Sequence, residues 1–196
     1  MSGRLLLPGA VLLVAALAGC RASSDSAAAA ALPANKSDAA PAERGLVLHA
    51  EPGWQVETPS SSMRRAQYLL PRAEGDAQDA ALVVYHFGTS GGSKEANIER
   101  WKSQFEGAGG SVELTQSNRR NANGLDVLDV AASGTYVAET APGSGVRVNE
   151  PGWRMLASIV DTPEGPYYVK LVGPGRTVEK WSASYRAFVS KLAFVE

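Results

Sequence analysis

The sequence predicts an α+β domain, in which an antiparallel sheet is flanked by helices on both of its faces. Several segments alternate between apolar and polar residues with the period of a strand, and two others repeat their apolar residues with the spacing of a helix. The links between strands are short and rich in glycine and proline, which favours antiparallel neighbours. Amphipathic helices in such a chain bury their apolar stripes against the sheet.

Residues 1–19 are predicted to be a lipoprotein signal peptide. A positive start at Arg4, an apolar stretch over residues 5–18 and a small-residue cut site follow each other in the order of an export signal. Cys20, the only cysteine in the chain, comes directly after the cut, as in bacterial lipoprotein signals, where this thiol is acylated. This apolar stretch is too short for a membrane-spanning helix, which needs about 20 apolar residues.

Residues 20–45 are predicted to be a flexible tether between this lipid anchor and the folded domain. The segment is rich in Ala, Ser and Pro and has too little apolar content to fold. In such lipoproteins, an aspartate directly after the lipidated cysteine is linked to retention in the inner membrane. This chain has Arg21 at that position, so the resemblance predicts the outer membrane, facing the periplasm, as the location. Residues 46–196 are then a single domain, and about 150 residues suffice for one hydrophobic core.

The charge balance predicts no nucleic-acid partner. The chain carries 19 basic and 20 acidic residues, a net charge of −1. Arg64-Arg65 and Arg119-Arg120 are isolated pairs rather than a basic stripe, and such pairs are typical of solvated loops. With a single cysteine the domain is expected to have no disulfide, and its stability must come from burial.

The first strands are predicted before residue 90. A turn signal, Glu51-Pro52-Gly53, separates the first two predicted strands, Leu46–His49 and Trp54–Glu57. A proline ends the next predicted strand, Gln67–Leu70. Ala81–Phe87 is the strongest strand. Because it is apolar on both faces, it is predicted to be a central strand covered on both sides.

Two helices are predicted, one in the middle of the chain and one near its end. Ser93 can cap the first, in which Ile98, Trp101 and Phe105 form one apolar stripe. Thr177 can cap the second. Its apolar stripe consists of Val178, Trp181, Tyr185, Phe188, Val189 and Leu192.

The remaining strands are predicted between these helices, with a six-residue hairpin loop at 161–166 and a long exposed loop at 139–152. The strands are Ser111–Thr115, Leu125–Ala131 with Gly134–Ala138 as a possible extension, Met155–Val160 and Tyr167–Val172.

No pattern in the chain predicts catalysis, a metal or a cofactor. The two histidines, His49 and His86, are far apart and have no neighbouring His or Cys, so a zinc site is not expected. No Gly-x-Ser-x-Gly or Ser-x-x-Lys frame presents a serine nucleophile. The protein is therefore predicted not to be an enzyme.

Five residues are candidates for binding: Arg64, Arg65, Ser93, Tyr168 and Lys170. Ser93 lies at the end of a glycine-rich link between strand and helix. This link does not match the pattern of a phosphate-binding loop, because Ser93 stands where the second glycine is required. A structural turn with Ser93 as the helix cap is therefore favoured. Lys170 shares a strand face with Tyr168. It either extends from an edge strand into solvent, which is favoured, or lines a pocket.

The end of the chain resembles the PsbP-like superfamily, which includes an accessory subunit of photosystem II and DcrB-like bacterial lipoproteins. The likeness rests on Gly165–Val172, the helix with Phe188–Leu192, and Trp54 followed by Pro59, and it covers residues 45–196. It implies a sandwich of an antiparallel sheet with helices on both faces. Members are mostly non-catalytic binding or assembly factors, so the resemblance implies no catalytic residue.

Two functions are expected from these patterns. The first is a non-enzymatic envelope domain, anchored to the membrane through Cys20, that binds or scaffolds a protein partner with the 139–152 loop or with Met63-Arg64-Arg65. The second is a protein that binds a small molecule or an ion in a pocket between sheet and helix. Lys170, Tyr168 and the turn at 88–93 would line that pocket.

Overall fold

The computed structural model describes residues 44–107, 110, 112–140 and 143–196. The predicted signal peptide, the lipidation at Cys20 and nearly all of the predicted tether lie outside the described residues. Those that are described belong to one compact unit, Ala40–Glu196. Among them, no helix has both the length and the apolar character to cross a membrane.

Eight strands of the described residues form one antiparallel sheet, and two short strands pair beside it. The elements in chain order are β1 (Gly45–Val47), β2 (Gln55–Glu57), β3 (Arg64–Leu70), β4 (Ala80–His86), α1 (Lys94–Lys102), β5 (Phe105–Glu106), β6 (Thr115–Arg120), β7 (Asp126–Tyr136), β8 (Glu150–Val160), β9 (Tyr167–Pro174), α2 (Gly175–Lys191) and β10 (Ala193–Val195).

The order of strands across the sheet is β2-β3-β4-β9-β8-β7, and β5 and β6 both pair with β7. The strand β5 contacts residues 135–136 of β7, whereas β6 pairs with residues 126–131. One edge of the sheet is therefore β2, and the other is shared by β5 and β6. The separate pair consists of β1 and β10, which brings the two ends of the domain together.

The predicted sandwich with helices flanking both faces of the sheet is wrong. The structure is mostly antiparallel sheet, with 43% strand, 19% helix and only two helices among the described residues. The first helix stops at Lys102 after nine residues, and Phe105, predicted to lie on its stripe, belongs to β5. Phe105 and Val112, which lie outside the helix, fill the core on that side together with Ile98 and Trp101 of α1, so only this one short helix contributes to that face.

The main core lies between α2 and the sheet. The predicted stripe of α2 is buried, except that Trp181 is only partly so. Tyr185, Phe188 and Val189 pack in one cluster with Leu82 and Val169 of the sheet. Full burial of such a side chain is worth about 1.5–3 kcal/mol, so this stripe fixes α2 to its face.

Most strand predictions were right, and the main error concerns the polar strand β6. The strand β4 is central, between β3 and β9, and the hairpin loop at 161–166 joins β8 to β9 as predicted. The strand predicted at Ser111–Thr115 instead begins at Thr115, and the Arg119-Arg120 pair lies in β6 rather than in a loop. The predicted loop at 139–152 is shorter, because β8 already begins at Glu150.

The start of α2 is capped by a residue far away in the chain. Thr177, predicted as the cap, lies inside the first turn, where its backbone N–H and its hydroxyl donate to Asp76 Oδ2 over 2.8 and 2.7 Å. The carboxylate thus binds an N–H group that has no partner within the helix, at the positive end of the helix dipole.

We expect Asp76→Ala to lower the free energy of unfolding by about 1–2 kcal/mol, as loss of a helix cap does. Urea denaturation measures this, with Glu74→Ala as the control because Glu74 is an exposed acidic residue of the same loop. Equal effects of the two substitutions would contradict the capping role.

Candidate functional site

A broad concave surface of the domain lies beside α2. This helix packs on β8 and β9, and the sheet continues beyond it to β7 and β6. A groove of about 670 Å³ lies between α2 and strands β6–β8. A second cavity of about 410 Å³ shares Thr115, Ala131 and Arg154 with the groove and extends it toward Glu113. The result is an elongated cleft with the sheet as its floor.

The alternation of strand residues decides which side chains reach this groove. Thr115, Ser117 and Arg119 are every second residue of β6 and therefore lie on one face of the sheet. The register places Thr115 opposite Ala131 and Ser117 opposite Asp129, so these β7 residues share that face. The helix contributes the opposite wall of the groove, with Tyr185, Arg186, Ala187 and Ser190.

A chain of hydrogen bonds runs from the groove into the core. Arg119 Nε donates to Asp129 Oδ2 over 2.5 Å, and the buried Ser158 hydroxyl donates to Asp129 Oδ1 over 2.5 Å. The Tyr185 hydroxyl lies 2.8 Å from Ser158 Oγ and 3.3 Å from the Val169 carbonyl oxygen. Burial raises the pKa of Tyr185, so this phenol stays protonated and donates. These hydrogen bonds hold the Asp129 carboxylate in place, and the carboxylate in turn holds Arg119.

Three guanidinium groups surround the groove, against two carboxylates. Arg119 is paired with Asp129, and Arg154 is paired with Glu179. Arg186 is exposed and forms no ion pair with any residue in the described part of the chain. It is therefore the cation in this wall that is available to a ligand.

The groove also has an apolar part. Ala131 and Leu156 lie in its floor, and Ala187 lies in the helical wall. Apolar walls with a few placed polar groups are typical of small-molecule sites, and guanidinium groups bind carboxylates and phosphates well. The groove therefore fits an elongated molecule that has an apolar body and an anionic group.

The structure places Lys170 in the core on the opposite face of the sheet. Its ammonium group donates to Gln104 Oε1 and lies 5.4 Å from the centroid of the Tyr136 ring. Burial, with a smaller contribution from the positive charge of Arg100, lowers the pKa of Lys170 to about 7. The edge position favoured for Lys170 was wrong, because β9 lies between β4 and β8.

Tyr168 and Ser93 serve the packing of α1. Tyr168 is 2% exposed, and its hydroxyl accepts a hydrogen bond from Asn97 Nδ2 over 3.2 Å. Burial raises the pKa of Tyr168. Ser93 caps α1 as predicted, since its hydroxyl accepts from the backbone N–H of Ala96 over 3.1 Å. Tyr168 and Lys170 are core groups, so they do not form the pocket lining that the sequence suggested.

Arg64 and Arg65 lie toward the other edge of the sheet, away from the groove. Arg64 donates to Gln67 Oε1 over 2.7 Å and lies above the Tyr85 ring, 5.7 Å from its centroid. Arg65 is exposed at an irregularity of the β3–β4 pairing. None of the five predicted binding residues therefore lies in the groove.

Sequence reasoning missed the residues that line the groove. Two signals were available in the predicted strands, Asp129 within 125–131 and Ser158 within 155–160, because a polar residue in an apolar strand must find a partner. The described residues contain no group of three or more His, Cys, Asp or Glu that could hold a metal ion.

No family model matches this chain, and no curated protein matches it. The resemblance to the PsbP-like superfamily therefore stays a prediction. The fold and the geometry define a mostly antiparallel β-sheet domain with an open groove that is bordered by arginines. The chemistry of that groove has to be inferred from its own residues.

Proposed function

We propose that this protein is a lipid-anchored binding protein of the bacterial cell envelope, whose domain holds an elongated organic anion in the groove between α2 and β6–β8. The observation that carries the proposal is the groove itself, about 670 Å³ in volume, with Arg119, Arg154 and Arg186 around an apolar floor. Ligand sites commonly measure about 300–1,000 Å³, so the space suits a small molecule. A fatty acid and a single-chain phospholipid both have this combination of an anionic head and an apolar body.

The head group is the part that Arg186 recognises. Hydrogen bonds to charged groups are worth about 1.5–3 kcal/mol, so Arg186→Gln weakens binding by about tenfold or more. The matched control is Arg120→Gln, because Arg120 is also an exposed arginine but does not line the groove. Circular dichroism before each titration verifies that both variants are folded.

Isothermal titration calorimetry tests the proposal with three ligands of equal chain length that carry a carboxylate, a phosphate or a neutral alcohol. We expect the two anions to bind and the alcohol to bind at least about tenfold more weakly. The relative affinities of carboxylate and phosphate distinguish a free fatty acid from a phospholipid. Equal binding of the alcohol, or no effect of Arg186→Gln, would contradict the proposal.

The anchor is tested separately from the groove. The order of charges, apolar residues and Cys20 supports an acylated amino terminus at the outer membrane. Mass spectrometry of the protein from bacterial membranes is expected to find acyl chains on Cys20, and Cys20→Ala is expected to lose them. An unmodified Cys20 would contradict the lipid anchor but would leave the proposed ligand binding in the groove untouched.

An envelope protein partner is the second candidate function. The observation that favours it is Val146, which is 60% exposed in the loop between β7 and β8. Single exposed apolar residues are common on protein surfaces, and for this reason the groove stands first. In-cell crosslinking with Val146→Glu tests the loop, and an unchanged set of crosslinked partners would remove it as a contact.

A further inference from the structure

The strand β6 is an open edge of the main sheet. Its six residues pair regularly with β7, from Thr115 opposite Ala131 to Arg120 opposite Asp126, with no shift of register. Every β6 residue is exposed except Arg119, which is partly buried. No strand of the described residues pairs with its outer side.

Two hydrogen bonds show which backbone groups of β6 face outward. Asn121 N–H donates to the Leu125 carbonyl over 2.9 Å, and Asp161 N–H donates to the Asp126 carbonyl over 2.9 Å. The peptide groups of Leu125 thus face the β6 side, whereas those of Asp126 face β8. Because the direction alternates along an antiparallel ladder, residues 115, 117 and 119 bond to β7. Gln116, Asn118 and Arg120 therefore direct their N–H and C=O groups away from the sheet.

This edge lacks the features that usually keep edge strands apart. Such features are prolines, bulges, very short strands and free charges, and β6 has no proline and no bulge. Its two charges are already neutralised by β7. Arg119 Nε lies 2.5 Å from Asp129 Oδ2, and Arg120 Nε lies 3.0 Å from Asp126 Oδ1.

From this geometry we infer that β6 pairs antiparallel with β6 of a second copy of this chain, around a twofold axis at Asn118. Outward-facing residues have to meet each other, so Asn118 lies opposite its own copy and Gln116 opposite Arg120. Each such pair exchanges two hydrogen bonds, about six in total. Ser117 then lies opposite Arg119, so no like charges face each other across the interface.

The pairing would bring the two grooves together. A twofold axis perpendicular to the sheet keeps the same face on the same side in both copies, so both α2 helices lie on one side. Ser117 and Arg119 line the groove in each copy, and the register places Ser117 beside Arg119 of the second copy. The second copy therefore contributes a cation to the open side of each groove. The dimer itself does not rest on the proposed ligand, because it is measured without one.

Sedimentation velocity of the purified full chain tests the inference with two substitutions at one position. Asn118→Pro removes an N–H that faces away from β7, and proline is tolerated at such edge positions. Asn118→Ala leaves the backbone intact. We expect twice the chain mass for the wild type and for Asn118→Ala, and the single chain mass for Asn118→Pro with its thermal unfolding little changed. A monomeric wild type, or a dimeric Asn118→Pro, would overturn the inference.

Residue-resolved hydrogen exchange gives an independent reading that does not depend on the folding of the proline variant. In the wild type, the amides of Gln116, Asn118 and Arg120 should exchange more slowly as the protein concentration rises. The amides of Ser117 and Arg119, bonded to β7, should be protected at every concentration. Fast exchange of the outward amides at all concentrations would overturn the dimer. Protection that requires an added extended peptide would also overturn it and assign the edge to a peptide partner.

Discussion

Replacing Lys170 with methionine is expected to stabilise the protein at neutral pH. Lys170 is 9% exposed on a central strand, with Gln104 as its hydrogen-bond acceptor and no carboxylate in contact among the described residues. Burial lowers its pKa from 10.5 to about 7. Methionine fills a similar volume without a charge, and Gln104 is partly exposed and can bind water instead. We expect a gain of roughly 2–4 kcal/mol at pH 7.

The same substitution is expected to change how stability depends on pH. The folded-state pKa of Lys170 lies below its unfolded value, so between about pH 7 and 10.5 the unfolded chain binds the proton and the folded protein does not. The free energy of unfolding of the wild type therefore rises with pH across this window and is lowest where Lys170 is charged, at and below pH 7. The clean part of the window ends near pH 10, where tyrosines of the unfolded chain begin to ionise, since burial raises the pKa of Tyr136 to about 12.

Urea denaturation at several pH values between 7 and 10 measures both effects. The wild type should gain stability with pH, and Lys170→Met should remove this gain. Lys102→Met is the control, because Lys102 is the last residue of α1 and is not buried in the core. A wild type with constant stability over this range, or a Lys170→Met protein less stable at pH 7, would show that the buried amine is not the cause.

Replacing Asn121 with alanine is expected to cost about 3 kcal/mol or more of unfolding free energy. The buried Asn121 side chain donates to the carbonyls of Leu192 and Val189 over 2.8 and 3.3 Å. Its Oδ1 accepts from the backbone N–H groups of Asn123 and Leu125, both over 3.0 Å. Alanine removes all four hydrogen bonds. The Leu192 carbonyl keeps the one from Asn123, but the other three groups lose their partner, and each unsatisfied buried group costs about 1–3 kcal/mol.

Asn121 also matters for the groove, because it ties the end of α2 to the β6–β7 turn. The helix α2 and the strands β6 and β7, which this turn joins, border the groove, so Asn121→Ala is expected to weaken ligand binding as well as stability. Asn121→Asp should not rescue it, since aspartate loses the donors and adds a negative charge at the negative end of the helix dipole.

Thermal and urea unfolding, together with calorimetric titration, measure these effects of Asn121. The control is Asn123→Ala. Asn123 is more exposed and donates only to the carbonyls of Lys191 and Leu192, so a loss below about 1 kcal/mol is expected. Equal losses for the two alanine variants, or wild-type stability of Asn121→Asp, would contradict the role of this side chain.

Local patterns in the sequence predicted the parts of the fold that local physics decides. Ser93 was recognised as a cap because the hydroxyl and the N–H that it binds are three residues apart. The buried stripe of α2 and the central position of β4 followed from apolar periodicity. None of these predictions required knowledge of distant contacts.

The groove and the fold class could not be predicted in the same way. The strand β6 is polar on both faces, since it lies at an edge where neither face is fully covered, and it therefore lacks the apolar alternation of a strand. Asp76, the cap of α2, is about 100 residues away from Thr177 in the chain. Where α1 ends depends on Phe105 pairing with Tyr136 in the sheet. Each of these features is set by tertiary contacts.

The most direct test of the proposed function is to map where the ligand binds. Nuclear magnetic resonance spectra of the isotope-labelled protein, recorded while a long-chain carboxylate is added, give this residue by residue. Binding in the groove predicts saturable shifts that centre on Ser117, Ala131, Leu156 and Arg186, with none around Lys170 on the opposite face. Shifts that centre on Lys170 and Tyr168, or no saturable shift at all, would contradict the assignment of the groove as the binding site.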